Sequence, residues 1–310
     1  MARCFVTRRL PGRALERLAA DHEVDVWPEP LPPPPGELRA RVAGAEGLLS
    51  LLTDRVDGEL LAAAPRLRVI SNYAVGVDNV DLDAVRARDI RVGYTPDVLT
   101  EATADLAFAL ILAIARRLPD GIAAVREGEW LTWEPGWLLG HDVHGATLGV
   151  VGMGRIGRAV ARRAEGFGME VLSTGRGPNQ GVPLDHLLGR ADFVSLHPPL
   201  TPETHHLIDE AALRRMKPTA YLVNTARGGI VDQDVLAHGL RAGWIAGAAL
   251  DVTDPEPLPT DHPLLDSPHL IVLPHLGSAP HATRERMADL AVDNLLAGLA
   301  GRPLPHEFGV

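Results

Sequence analysis

The chain has 310 residues with 30 basic and 40 acidic side chains, a net charge of −10, one cysteine and one lysine. A single thiol excludes an intramolecular disulfide and a cysteine-based zinc site, and the acidic balance argues against non-specific nucleic-acid binding. The longest apolar run, 106–115, is too short to span a membrane, and the N-terminus lacks the apolar core of a signal peptide. We therefore expect a cytoplasmic protein of about two domains.

The first part of the chain alternates strand-like runs with helical stretches. Runs rich in apolar and β-branched residues predict five strands, at 4–7, 24–27, 47–52, 67–71 and 90–94. Strands separated by helices predict βαβ units and a parallel sheet. The stretch 101–127 follows this series and predicts one long helix.

A second series of strands begins after that helix. Six further runs predict strands at 146–152, 169–174, 191–197, 219–225, 245–252 and 269–275. Their nearly continuous apolar character is typical of strands buried on both faces of a sheet. A last helix is predicted at 283–300.

These elements predict an α/β protein with two Rossmann-like, doubly wound parallel-sheet domains. Residues 1–99, completed by 283–310, would form one domain. Residues 100–282 would form a second domain inserted into it.

A glycine-rich motif lies at the start of the second series. Gly152, Gly154 and Gly157, with Arg155 and Ile156 between the last two, form a G-x-G-x-x-G sequence between a predicted strand and a predicted helix. This context makes the motif specific for a dinucleotide. Glycines let the backbone approach a pyrophosphate, and the N-terminus of the helix favours its negative charge.

The end of the next strand bears on the choice of cofactor. An NAD site usually has an acidic residue there, about 20 residues after the motif, to bind the ribose 2′-hydroxyl. Here Thr174 and Arg176 occupy this region, and no carboxylate occurs before Asp185. An arginine suits a 2′-phosphate, so we predict NADPH as the preferred cofactor, with NADH possible. The alternative is that Arg176 is an ordinary solvated loop residue.

Charged residues follow three of the later predicted strands. Arg227, Asp251, Glu256 and His275 lie at strand ends or in the loops after them. Because such loops face the ligand crevice of a doubly wound sheet, these side chains are predicted to converge.

These segments resemble the D-isomer-specific 2-hydroxyacid dehydrogenase family over nearly the whole chain. The similarity is carried by 71–81, 152–157, 197–204, 224–229 and 273–279, and it is closest to the glyoxylate/hydroxypyruvate reductase branch at 91–100, 250–265 and 294–301. The resemblance implies reduction of glyoxylate to glycolate and of hydroxypyruvate to D-glycerate by hydride transfer. It also implies that 1–99 with 283–310 is the substrate domain and that the inserted 100–282 is the NAD(P)-binding, nucleotide-binding domain.

The resemblance also implies a catalytic set. Arg227 would bind the carboxylate and the keto oxygen of the substrate, a task that suits a planar fork of donors. His275 would be the acid/base, and Glu256 would orient its ring and favour the protonated imidazole.

Further contacts are implied in the same way. On the cofactor side they are Thr103, Pro199, Thr225, Asp251 and Gly277; on the substrate side they are Leu51, Val75, Gly76 and Ser278. No metal is expected, because hydride transfer needs none.

Tryptophans cluster in the segment that joins the two series. Trp130, Trp133 and Trp137 fall within eight residues. Such an apolar cluster suggests an interface, and we expect a homodimer with 118–146 as its dimerisation segment. The resemblance implies that Trp137 reaches the substrate site of the neighbouring subunit. The alternative is a locally packed hydrophobic anchor.

Two other functions remain open from the sequence. One is an NAD-dependent dehydrogenase of the same family that acts on D-lactate or a larger 2-hydroxyacid. The other is a non-catalytic, cofactor-sensing protein similar to a corepressor, since such a protein can keep the catalytic residues.

Overall fold

Two units make up the chain in the computed structural model, which describes residues 1–175 and 181–309. The first unit contains Met1–Leu99 and the chain from Ala279 onward, and the second contains Thr100–Ser278. The second unit thus ends four residues before the predicted boundary at 282. Each unit is built on a parallel sheet, so the predicted fold class is confirmed.

The sheet of the first unit has five parallel strands in the order β2-β1-β3-β4-β5. These strands are β1 (Arg3–Val6), β2 (Glu23–Val26), β3 (Gly47–Ser50), β4 (Val69–Asn72) and β5 (Arg91–Gly93). The connecting helices are α1 (Ala14–Asp21), α2 (Pro35–Val42), α3 (Gly58–Ala63) and α4 (Leu82–Arg86). The C-terminal helix, His281–Leu299, completes the unit and packs against α1 and the central strands.

The second unit has six parallel strands in the order β11-β10-β9-β8-β6-β7. They are β6 (Thr147–Val151), β7 (Glu170–Thr174), β8 (Phe193–Leu196), β9 (Tyr221–Asn224), β10 (Gly247–Leu250) and β11 (Leu270–Val272). Its helices are α5 (Thr100–Ala115), α6 (Leu118–Glu127), α7 (Arg155–Glu165), α8 (Leu184–Arg190), α9 (Glu210–Arg215) and α10 (Gln233–Arg241).

Helices cover both faces of this second sheet. One core contains side chains of α5 and α7, and the other contains side chains of α8, α9 and α10. Successive strand residues point to opposite cores, as Phe193 and Val194 of β8 do. This burial on both faces explains why the strand sequences are apolar at almost every position.

The order of strands reverses at β6. The chain leaves β6 to form β7 on one side and then returns to form β8 on the other. In open α/β sheets, ligands bind beyond the carboxyl ends of the strands at such a switch point. The glycine-rich loop begins at Gly152, directly after β6, and therefore lies at this position.

The prediction of one helix over 101–127 is wrong. The chain forms α5 and α6 instead, and Arg117 between them has a left-handed backbone with φ of 50°. The cause is Pro119, because proline has no N–H to donate to the carbonyl oxygen four residues earlier and its ring clashes with that carbonyl, whereas it is tolerated in the first turn of a new helix. None of the helices in the described residues has the length and apolar character of a transmembrane span.

Candidate active site

The glycine-rich loop has a separate steric reason for two of its three glycines. Gly152 has φ of 94°, and a Cβ there would lie 2.7 Å from the backbone nitrogen of Pro198. A Cβ on Gly157 would lie 2.2 Å from the carbonyl oxygen of Gly152, because the first turn of α7 packs tightly on the loop. The fold itself therefore requires glycine at both positions.

Gly154 is different, since a Cβ there would meet no atom within 4 Å. Gly154 is the N-cap residue of α7 and offers no side chain to bond to the first N–H groups of the helix. The first turn of α7 contains no acidic residue either. An open approach to uncapped N–H groups at a helix N-terminus fits a pyrophosphate. The loop therefore suits the dinucleotide that its sequence predicts.

The surroundings of this loop are partly described. The N–H of Gly152 donates to the carbonyl oxygen of Thr174 at 2.8 Å, which fixes the end of β7 beside the loop. Arg176, on which the NADPH prediction depends, lies outside the described residues.

His197 lies on the other side of the glycine-rich loop. Burial lowers the pKa of His197 to about 4, so its ring is neutral at pH 7. Its Nε2 lies 2.9 Å from the hydroxyl of Ser195.

The loop that carries Arg227 is held by a buried asparagine. Asn224 ends β9, and its side chain accepts from the N–H of Ala226 at 3.0 Å and donates to the carbonyl oxygen of Arg227 at 2.8 Å. Gly228 follows, and a Cβ there would lie 2.0 Å from the carbonyl carbon of Thr253. These contacts fix the backbone from which the guanidinium group projects.

Glu256 and His275 form a hydrogen-bonded pair. Oε1 of Glu256 lies 2.6 Å from Nδ1 of His275, and both side chains are partly exposed. A carboxylate oxygen can only accept, so Nδ1 carries a hydrogen and Nε2 is the atom left for proton transfer. In the described residues Nε2 of His275 has no partner. The pair therefore has the arrangement of an oriented general acid/base.

Asp251 holds the loop that carries His275. It is 1% exposed, and its two carboxylate oxygens accept from the N–H of Leu276 at 2.6 Å and of Gly277 at 2.8 Å. Its carbonyl oxygen accepts from the N–H of His275 at 2.9 Å. His275 has φ of 55°, an uncommon conformation for histidine, and these three bonds stabilise it. Burial raises the pKa of the Asp251 carboxyl group.

Thr103 and Thr225 are two further predicted cofactor contacts. The hydroxyl of Thr103 donates to the carbonyl oxygen of Gly277 at 3.2 Å. The hydroxyl of Thr225 is buried and has no partner in the described part of the chain. An unsatisfied buried hydroxyl fits a residue whose partner is a bound group. Asp251 already accepts from two N–H groups, but a carboxylate has about four acceptor sites, so its contact with the cofactor stays a prediction.

The predicted substrate-side residues Leu51, Val75 and Gly76 belong to the first unit, and all three are half-buried. The consecutive N–H groups of Val75 and Gly76 have no hydrogen-bond partner among the described residues. Two adjacent free donors at the carboxyl end of a sheet suit an anion such as a carboxylate.

The remaining predicted residues lie in less defined surroundings. Ile156 packs against the core at the start of α7, while Pro199 is exposed in the loop after β8. Trp137 is 38% exposed. Arg155 and Ser278 both interact with other parts of the protein. No cluster of three or more metal-binding side chains occurs in residues 1–175 and 181–309.

Sequence reasoning missed the polar residues that support these loops. Asn224 holds the Arg227 loop, and Asn72 and Asn79 form similar bonds beside Gly76. The available signal for Asn224 and Asn72 was their position, because each is the last residue of a buried strand, whereas Asn79 lies in a loop and had no such signal. A buried asparagine at that position usually bonds to the neighbouring backbone.

Comparisons with known proteins identify a family and related chains. Residues 108–277 match a family model described as D-isomer specific 2-hydroxyacid dehydrogenase, NAD binding domain. The chain is 50% identical to the glyoxylate reductase of Korarchaeum cryptofilum, over 98% of this chain and 95% of that protein.

Two solved structures extend the comparison. The TT0316 protein from Thermus thermophilus is 54% identical, with a TM-score of 0.95 over 99% of this chain and 100% of that one. An NADPH-dependent glyoxylate/hydroxypyruvate reductase from Sinorhizobium meliloti, in complex with NADP and malonate, is 32% identical, with a TM-score of 0.87 over 99% and 97%.

Proposed function

Because the chain belongs to the D-isomer specific 2-hydroxyacid dehydrogenase family of oxidoreductases, we propose that it reduces glyoxylate to glycolate and hydroxypyruvate to D-glycerate with NADPH. The observation that carries this proposal is the Glu256–His275 pair, with 2.6 Å between Oε1 and Nδ1. This pair places a proton donor in a loop at the carboxyl edge of the second sheet, where a doubly wound fold binds its ligand.

His275 acts as the general acid of the reduction. Its Nε2 donates a proton to the carbonyl oxygen of the substrate, and Glu256 stabilises the imidazolium through Nδ1. Asp251 keeps the ring in position, because it bonds to the backbone of His275 and of the two residues that follow.

Arg227 binds the substrate through its guanidinium group. Its planar fork donates to the carboxylate and polarises the keto oxygen, which becomes more negative as the carbonyl is reduced. In the first unit, the N–H groups of Val75 and Gly76 bind the carboxylate, and Leu51 contributes an apolar contact. Ser278 is a further contact on the substrate side.

The second unit holds the cofactor. Gly152, Gly154 and Gly157 admit the pyrophosphate to the N-terminus of α7, and the Thr225 hydroxyl is the candidate for a further polar contact. When bound, the nicotinamide supplies the hydride. The expected contacts also include Thr103, Arg155, Ile156, Pro199 and Gly277.

Product analysis tests the proposed activity. Incubation of the protein with NADPH and hydroxypyruvate should give D-glycerate, which chiral chromatography separates from its enantiomer. Formation of L-glycerate would contradict the assignment to a D-specific reductase.

The preference for NADPH depends on Arg176, whose role is argued from sequence alone. Replacing it by aspartate should lower kcat/KM with NADPH, because a carboxylate repels a 2′-phosphate. It should raise kcat/KM with NADH, because a carboxylate accepts a hydrogen bond from the ribose 2′-hydroxyl. We expect the ratio of the two values to change by about 10- to 100-fold, which corresponds to the loss of one charge-assisted hydrogen bond. Initial rates with each cofactor measure the ratio.

A matched control for this change is available in the same unit. Arg190 ends α8 and forms an exposed ion pair with Glu170. An Arg190→Asp enzyme should keep the cofactor ratio of the original protein. If Arg176→Asp leaves the ratio equally unchanged, NADPH preference does not depend on Arg176.

A homodimer is proposed from an apolar surface on the second unit. The segment that includes α6 and the residues after it exposes Ile122, Val125, Trp130, Leu131, Trp133 and Leu139, each by more than half. Exposed patches of this kind are rare on monomers, and a second copy of the chain is the occupant that we propose. Trp137 is then expected to reach the substrate site of the second copy.

Light scattering tests the dimer. The protein should have the mass of two chains, and Leu131→Glu should shift it to the mass of one, because the change puts a charge into an apolar interface. Leu31→Glu is the control, since Leu31 is 74% exposed but lies in the first unit. A Leu131→Glu protein that stays dimeric would place the interface elsewhere.

A further inference from the structure

A buried polar network lies at the carboxyl edge of the five-stranded sheet, and its centre is Asn72. This residue ends β4 and is fully buried. Its Nδ2 donates to the carbonyl oxygen of Gly76 and to Oδ1 of Asn79, both at 2.9 Å. Its Oδ1 accepts from the hydroxyl of Ser50 at 3.0 Å. Both ends of the amide are therefore satisfied, which leaves its side chain one stable orientation.

The bond to Gly76 holds the peptide group that directly follows the two free donors. The carbonyl oxygen of Gly76 belongs to the Gly76–Val77 peptide group, which cannot rotate without leaving the buried amide of Asn72 unsatisfied. The backbone of Tyr73 is bonded as well, since its N–H donates to the carbonyl oxygen of Ser50 at 2.8 Å. The N–H groups of Val75 and Gly76 have no partner in the described residues, and they lie between these two fixed points.

The same network holds Leu51. Nδ2 of Asn79 donates to the carbonyl oxygens of Leu51 and Asp54, at 3.0 and 2.9 Å. The N–H of Leu51 donates to Oδ2 of Asp54 at 2.7 Å, and the hydroxyl of Thr7 bonds to the same oxygen. Two segments that are distant in sequence, at Leu51 and at Gly76, are thus fixed through one set of amide and carboxylate groups.

We propose that Asn72 is a positioning residue for substrate binding, which keeps the N–H groups of Val75 and Gly76 directed toward the substrate carboxylate. This inference rests on the proposed function, in which those two groups bind the carboxylate. The carboxylate is present in the substrate and in the transition state alike. Loss of a contact that is equal in both states raises KM and leaves kcat nearly constant.

Kinetics of an Asn72→Ala enzyme test the proposal. We expect KM for glyoxylate to rise about 10- to 100-fold with kcat changed by less than about threefold. The inhibition constant of oxalate, an unreactive carboxylate, should rise by a similar factor. Asn72→Ser is a second variant in case the alanine protein does not fold, because serine keeps a polar side chain but is too short to make the bond to Gly76.

Asn294→Ala is the matched control. Asn294 is also fully buried in the first unit, and its amide also bonds to the backbone, at Tyr94 and His306. It should lose stability as the Asn72 variants do, but its KM and its affinity for oxalate should not change.

The outcomes separate the inference from the function on which it rests. If the original protein reduces glyoxylate and a folded Asn72 variant keeps the original KM, the positioning role is wrong. A fall in kcat at constant KM would overturn it too. If the original protein reduces no 2-oxo acid, the proposed function itself fails.

Discussion

Replacing His275 by asparagine is expected to lower kcat for glyoxylate reduction by about 10²- to 10⁴-fold, the usual contribution of a general acid. Asparagine cannot release a proton at neutral pH, and the Nε2 that donates it is lost. The dissociation constant for NADPH should stay within about threefold, since the ring is assigned to the substrate. Steady-state rates give kcat, and quenching of tryptophan fluorescence gives NADPH affinity.

The substitution does not strain the backbone, because asparagine tolerates the positive φ of this position better than most residues. His269 provides a close control, as it lies at the opposite end of β11 and has φ of 52°, against 55° for His275. A His269→Asn enzyme should keep its turnover within about twofold. Unchanged turnover in His275→Asn would remove His275 from the chemistry.

Replacing Arg227 by lysine should lower kcat/KM for glyoxylate by about 10²- to 10⁴-fold. Lysine keeps the charge but cannot form two parallel hydrogen bonds, and each bond to a charged group contributes about 1.5–3 kcal/mol. Because one of these bonds strengthens as the keto oxygen becomes negative, kcat should fall as well as KM rise. Initial rates over a range of glyoxylate concentrations separate the two effects.

Arg241→Lys is the control for this change. Arg241 ends α10 in the same unit and donates to the carbonyl oxygen of Pro263 at 3.1 Å. Its replacement should leave kcat/KM unchanged. An Arg227→Lys enzyme with full activity would show that the substrate does not need a bidentate partner.

The strand series could be predicted from sequence because burial on both faces makes each strand a continuous apolar run. The position of the glycine-rich loop followed from the same pattern, and the steric contacts of Gly152 and Gly157 show why the motif needs glycine there. The break at Arg117 was missed because the sequence favours a helix on both sides of it, and the single Pro119 decides the outcome.

The site was less predictable than the fold. That Glu256 bonds to His275 follows from the resemblance, whereas the sequence alone only places both residues in loops at the same edge of the sheet. The bonds from Asp251 connect it to residues 24 to 26 positions later in the sequence, whereas the bond from Asn72 to Gly76 depends on a local turn. Neither kind of bond leaves a periodic signal in the sequence, so only the three-dimensional structure shows them.

Initial rates of the original protein with NADPH and NADH against glyoxylate, hydroxypyruvate and pyruvate decide whether the chain is this reductase. We predict oxidation of NADPH with glyoxylate and with hydroxypyruvate, at a higher kcat/KM than with NADH and a higher kcat/KM than with pyruvate. Binding of NADPH without turnover of any of the three acids would contradict it and would favour a cofactor-sensing protein.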